Sequence, residues 1–269
     1  MKLQKKQKLS KEWFKSLQNI ICSNIEKLEK EFGSKAKFKK NKWKNGEFRI
    51  IKGKVIEKGG VAFSNVKGKF SKEFANKIPG TNNYNRFWAS GISVVLHPKN
   101  PKVPAMHFNT RFICTKKNWF GGGMDVTPCI IDYKEKKYFH KELEKMCNFH
   151  NKKYYKKYKK WCDNYFYLPH RKETRGIGGI FYDYKMDNWK KDFIFTKDVG
   201  ITFAYLVNTI VRKKMYLKWN KKQKENQLYK RGRYAEFNLL YDRGTKFGLN
   251  SGGNTEAILM SMPPVAKWK

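Results

Sequence analysis

Between Trp88 and Thr127 the chain carries three β-prone runs separated by two short breaks, and this limits the folds open to it more than any other feature. Trp88 to His97 is rich in apolar and β-branched residues and stops at the turn signals of Pro98 to Pro104. Ala105 to Cys114 then alternates, with Met106, Phe108 and Phe112 on one side and His107, Asn109 and Arg111 on the other. Trp119 to Thr127 follows, and Gly121, Gly122 and Gly123 let a backbone or ligand come close to it. A seven-residue connection between the first two runs suits an antiparallel pair. Such pairing puts Ser93 and His97 on the same surface as His107, Asn109 and Arg111. A face that carries imidazole, amide and guanidinium groups is a site, not a core.

Outside this block helical and strand periods are mixed. Ser10, ahead of Trp13, Phe14, Leu17, Ile20, Ile21, Ile25 and Leu28, predicts an N-terminal helix with Ser10 as its cap. Residues 47–70 predict a hairpin broken at Gly59 and Gly60. Helices are expected over 132–150, 153–166 and about 192–230, a strand over Ile180 to Tyr184, and a further alternating run over Arg233 to Arg243. No repeat, linker or composition break divides the chain. The expectation is a single α+β domain over residues 1–269, with a large, mainly antiparallel sheet flanked by α-helices.

The net charge of +38 invites a nucleic-acid reading. Lysine, however, is scattered through nearly every segment, and no stripe or recognition motif organises it. Arginine behaves differently. Of nine arginines, Arg111, Arg171, Arg175, Arg231, Arg233 and Arg243 fall in segments rich in Gly, His and Asp, where a planar fork can grip carboxylates. The lysine excess therefore reads as solvated surface, with no specific nucleic-acid partner. Five widely spaced cysteines without a C-x-x-C pair argue against a disulfide framework and a zinc cluster. No run approaches the roughly 20 apolar residues of a membrane span, so a cytoplasmic protein is expected.

None of the glycine clusters has phosphate-loop or dinucleotide spacing. His97, His107, His140 and His170 lie close to Arg111, Asp125, Arg171 and Arg175 in the sequence. Taken singly, each is more often structural than functional. Together they offer a general acid or base, or donors for a divalent metal.

Several long motifs occur in order: GISVVLHPKNPKVPAMHFNTR (91–111), WFGGGMDVTP (119–128), YKKWCD (158–163), HR (170–171) with RGIGGIF (175–181), and RGRYAEFNLLYDRGT (231–245). Together they resemble the oxygen-dependent coproporphyrinogen III oxidases, and the likeness runs from about Asn19 to Pro264. The resemblance implies a homodimer that takes coproporphyrinogen III as substrate and dioxygen as co-substrate, without an organic cofactor. The propionates of rings A and B become vinyls, giving protoporphyrinogen IX in haem biosynthesis.

Position by position, the resemblance makes His107 the proton donor and places Asp242 and Arg243 beside the tetrapyrrole. It makes Ser93, Asn109, Thr110, Arg111, Arg171, Arg175, Gly252, Gly253 and Asn254 substrate contacts. It assigns His97, His107, His140 and His170 to a divalent metal, with Mn2+ the first candidate. Two departures stand out. The family usually reads GGRTES where this chain has GGNTEA (252–257), so Asn254 replaces a guanidinium. The C-terminal tail after Pro263 and Pro264 is also short for the family. A tetrapyrrole-binding relative without turnover, and a basic nucleic-acid-binding protein, are the rival readings.

Overall fold

Six strands pair with their neighbours in chain order, joined by short turns except between the third and fourth: β1 (Lys39–Trp43), β2 (Gly46–Ile51), β3 (Ile56–Lys69), β4 (Arg86–Pro98), β5 (Ala105–Cys114) and β6 (Asn118–Thr127). After α2 (Tyr133–His150), α3 (Tyr154–Tyr165) and a two-stranded ribbon of β7 (Tyr167–Leu168) and β8 (Glu173–Thr174), strand β9 (Gly179–Lys185) joins the edge at β6. The result is a seven-stranded sheet with every pairing antiparallel. This computed structural model describes residues 1–70, 78–81, 85–250 and 253–268, with the backbone alone at Phe247 and Asn250.

The pleat sends alternate residues to opposite faces. One face carries Val61, Phe63, Ile92, Val94, Met106, Phe108, Phe112, Met124, Ile180 and Tyr182 into the main core. α1 (Leu3–Glu31) and α4 (Trp189–Lys214) cover that face, and Phe203 of α4 stacks on Phe108 with ring centroids 4.8 Å apart. Each such large apolar side chain, fully buried, contributes about 1.5–3 kcal/mol. α4 is long and apolar enough to cross a membrane by length and composition. Its Phe195, Val199, Phe203, Leu206, Val207, Ile210 and Val211 lie instead in the core. The opposite face of the sheet is partly covered by α3, α5 (Lys221–Leu240), α6 (Arg243–Asn250) and α7 (Thr255–Leu259). There Cys162, Phe166, Leu168, Phe181 and Phe237 make a second, smaller core.

Three local expectations are corrected. α1 begins at Leu3, so Ser10 is a fully buried residue within it and caps nothing. The lysines and glutamines ahead of Ser10 are good helix formers and carry the helix back to its start. Gly59 and Gly60 lie inside β3, and the chain turns at 52–55. The Glu29 carboxylate organises that turn by accepting from the backbone N–H groups of Lys54, Val55 and Ile56. Met260 packs where a Cβ on Gly60 would stand, with Sδ 2.7 Å away.

The alternating run from Arg233 is helical through Leu240. Its buried residues Arg231, Tyr234, Ala235 and Asn238 recur at three and four, while Leu239 and Leu240 are exposed. The five cysteines are all buried and free. Burial pushes the thiols of Cys22, Cys114 and Cys147 up to about 12 and that of Cys129 to about 11, which leaves them unreactive.

Candidate active site

The face of the sheet turned away from α1 is paved with small residues. Register sets Ala62 opposite Ser93, Ser64 opposite Gly91, Asn109 opposite Gly123 and Arg111 opposite Gly121. His107 pairs with Asp125, and Ser93 pairs with Asn109. Small residues therefore keep this face low, with the Arg111–Asp183 pair over Gly121 and Phe181 beside Gly123 standing on it.

His107 is the most chemically distinctive polar group on this face. Its Nδ1 lies 2.7 Å from Asp125 Oδ1. A carboxylate can only accept, so Nδ1 carries the proton, and Nε2 is left without a hydrogen bond among the described residues. Behind it, Arg175 Nη2 lies 2.7 Å from both oxygens of Asp125. Arg175 Nη1 donates to Asn238 Oδ1, and the guanidinium carbon sits 4.0 Å from the centre of the Phe166 ring. Burial pushes the Asp125 carboxyl upward, but Arg175 and His107 outweigh it, and the net shift is downward. Asp125 thus stays ionised and fixes the tautomer and orientation of His107.

Arg111, on the same face, is held by Asp183 at 2.6 Å and reaches Asn109 Oδ1 at 3.4 Å. Asp242 lies close enough to act on the charge of Arg111. Its Oδ1 accepts from the Tyr165 hydroxyl at 3.0 Å, and its Oδ2 accepts from Thr245 N at 2.7 Å, which caps α6. Burial first, and then the Asp242 carboxylate, push Tyr165 up to about 12, so it remains a donor. Arg243 stands exposed with its guanidinium carbon 5.1 Å from the centre of the Tyr165 ring. Ser93, His107, Asn109, Arg111, Asp242 and Arg243 therefore gather around one surface.

Other expected site residues lie elsewhere or play another part. Thr110 points to the opposite face of the sheet, buried against Gly122. Arg175 is 2% exposed, and its two terminal nitrogens are engaged with Asp125 and Asn238 beneath aromatic rings, so it supports the site from behind. Arg171 and His170 both bond Glu236 in an exposed cluster, which meets the buried Phe237 through the Tyr241 ring. Gly253 donates its N–H to Gly248 O. Asn254 caps α7 by accepting from Ala257 N at 2.8 Å. Gly252 falls outside the described residues.

The four histidines expected to share a metal ion are spread over separate hydrogen-bonded positions. His97 Nε2 donates to Ser261 O, and burial holds the imidazole down to about 3. His140 donates from Nε2 to Ile177 O and accepts from the Tyr155 hydroxyl at Nδ1, and His170 sits between Tyr241 and Glu236. Among the described residues no three His, Cys, Asp or Glu side chains group as metal donors. As placed in this chain, the four imidazoles do not fit a common divalent ion.

Sequence comparison identifies the setting of this geometry. Residues 9–269 match the family described as coproporphyrinogen III oxidase. The chain belongs to the coproporphyrinogen III oxidase family. It is 50% identical over 275 residues to the oxygen-dependent coproporphyrinogen-III oxidase of Rickettsia bellii, covering 98% of this chain and 99% of that protein. The protein of the same description from Rickettsia rickettsii is 50% identical over 271 residues, with 97% of each chain covered. That of Rickettsia akari is 49% identical over 279 residues and covers all of both chains. The chain thus spans 97–100% of these coproporphyrinogen III oxidase relatives.

Some members of the site carry no sequence signal. Asp183, Tyr165 and Asn238 are single polar residues inside apolar or helical runs, and only the fold brings them to Arg111, Asp242 and Arg175.

Proposed function

We propose that the protein oxidatively decarboxylates the ring A and B propionates of coproporphyrinogen III to vinyls, giving protoporphyrinogen IX. For each vinyl formed, one dioxygen is consumed, and carbon dioxide and hydrogen peroxide are released. Membership of the coproporphyrinogen III oxidase family supports this reading. The observation that carries it is the meeting, on one bare sheet face, of an Asp-oriented imidazole and a guanidinium.

The chemistry suits the residues. A tetrapyrrole is flat, and the glycines at 121 and 123 leave a flat surface for it. Its carboxylates need fixed cations, and Arg111, preset by Asp183, offers a planar fork for one of them. The free Nε2 of His107 is the group on this face placed to give or take a proton. Asp242, close to Arg111, is assigned to accept from pyrrole N–H groups and so favour attack of dioxygen on the electron-rich ring. Ser93, Asn109 and Arg243 complete the substrate contacts. No organic cofactor is invoked. A divalent ion, manganese first, remains part of the reading only through donors other than the four histidines together, and no step is routed through it. A cytoplasmic homodimer completes the assignment. The scattered lysines provide a positive field that draws a tetra-anion inward, and they need no nucleic acid to account for them.

The direct test is anaerobically prepared coproporphyrinogen III mixed with the protein in air, followed by chemical oxidation and porphyrin fluorescence. Protoporphyrin formed in proportion to protein is expected. Unchanged coproporphyrin would refute the assignment.

A further inference from the structure

A cavity of about 20 Å3 lies at the end of the site face, lined by His97, Thr127, Cys129, Gln227, Arg231 and Tyr234 among others. Three of these side chains, each at least nine-tenths buried, have a polar atom with no hydrogen-bond partner: His97 Nδ1, Arg231 Nη1 and Tyr234 Oη. Orphaned buried polar atoms are uncommon, because each costs the desolvation of a group that water would otherwise satisfy. All three residues line the same cavity.

The chemistry of the walls selects a partner. His97 Nε2 donates to Ser261 O, so the neutral ring presents Nδ1 as a bare acceptor. Arg231 commits Nη2 to Glu57 Oε2 at 2.7 Å and Pro98 O at 3.0 Å, which leaves the N–H groups of Nη1 as donors. The Tyr234 hydroxyl lies near Asn238 without bonding to it, and can donate or accept. The site therefore needs one species that donates to an imidazole nitrogen and accepts from a guanidinium. A cation is repelled by Arg231, and a bare anion cannot donate to Nδ1. A water molecule does both, and a cavity of this kind needs only about 10–15 Å3 to hold one.

We propose that one water molecule is a fixed part of the fold at this position, bridging His97 Nδ1 to Arg231 Nη1 and Tyr234 Oη. It joins the end of β4 to α5. His97 also holds Ser261, and Lys58 holds Met262 O at 2.7 Å, so the same bridge helps to seat the segment after α7 over Gly60. His97 is in this way a structural residue, and its free nitrogen is committed to water instead of a metal.

The test is a crystal structure of the full chain at a resolution that orders buried water, with separate soaks in manganese chloride and sodium bromide. An isolated peak within hydrogen-bonding distance of all three atoms, without anomalous signal in either soak, is the expected result. An empty cavity, or anomalous scattering from manganese or bromide within it, would overturn the proposal. A solution measurement covers the metal arm: His97→Ala should leave the stoichiometry and affinity of manganese binding unchanged, whether or not the wild type binds it. A tenfold or greater loss of manganese affinity in a folded His97→Ala protein would refute it.

Discussion

Arg175 Nη2 lies 2.7 Å from both carboxylate oxygens of Asp125, and both side chains are almost wholly buried. The pair sits directly behind His107, so the orientation of the candidate proton donor depends on a buried salt bridge.

Asp125→Asn is expected to damage both folding and turnover. It leaves the Arg175 guanidinium buried against a neutral amide, and breaking a buried pair in this way costs about 3–5 kcal/mol. It also replaces the acceptor-only carboxylate that fixes the proton on His107 Nδ1 with an amide whose NH2 can face the ring and favour the other tautomer. Turnover should fall by about 100-fold or more, the scale of a positioned acid or base. Denaturant unfolding measures the first effect, and steady-state kinetics on the folded fraction the second. Unaltered kinetics would detach Asp125 from the chemistry.

Arg111→Ala should act on affinity. An unpaired carboxylate of a bound tetra-anion costs about 2–5 kcal/mol, which corresponds to about 30-fold or more in apparent affinity. The effect should appear in KM before kcat. An unchanged KM would show that the propionates dock elsewhere.

Gly121→Ala tests whether the surface must stay bare. A Cβ there meets Asp183 Oδ1 and approaches Arg111 Nη2 at 3.1 Å, so the variant should reproduce the binding defect of Arg111→Ala. At Gly123 the same change runs into the backbone oxygen of Ile180, and loss of stability should dominate. Thermal melting beside substrate titration separates the two outcomes.

Asp242 has two separable roles. Its Oδ2 caps α6, a contact worth about 0.5–2 kcal/mol, and asparagine caps nearly as well. Asp242→Asn should therefore keep the melting temperature near wild type while lowering turnover, whereas Asp242→Ala should lower both. Full turnover in the asparagine variant would remove the proposed role of its charge.

Stability should fall on mild acidification, with His97 contributing. Burial depresses His97 to about 3, whereas the unfolded side chain takes up its proton near 6.5. Between these values the unfolded state binds more protons, so stability declines as pH falls, by up to about 1.4 kcal/mol per pH unit. His140 is depressed too, again by burial. Comparing urea unfolding at pH 7 and pH 5, the His97→Gln variant should lose less stability than the wild type across that interval. Parallel losses would contradict the assignment.

Much of this was open to reading because β4, β5 and β6 follow one another through short turns. Alternation within each strand, and the sense of pairing between them, placed Ser93, His107, Asn109 and Arg111 on one face before any contact was known. The same logic failed over Arg233 to Arg243. There, apolar residues at 235, 237 and 239 mimic a strand, while the buried set follows helical spacing and leaves Leu239 in solvent. Glycines misled at 59 and 60, where Gly59 packs against Ile51, Ile56 and Leu96 and Gly60 against Met260, some 200 positions away in sequence. The dispersal of His97, His140 and His170 was hidden for a related reason. Each ring is fixed by a distant carbonyl, hydroxyl or carboxylate, and a sequence does not advertise such partners.

The pavement of glycine, alanine and serine has an evolutionary corollary. Selectivity in most pockets can be retuned by trimming or enlarging the residues beneath the ligand, but here little remains to trim, and at Gly121 and Gly123 any enlargement strikes a neighbour. Variants that accept a differently substituted ring must therefore arise at the perimeter, from positions such as Arg111 and Arg243, while the ground beneath stays frozen.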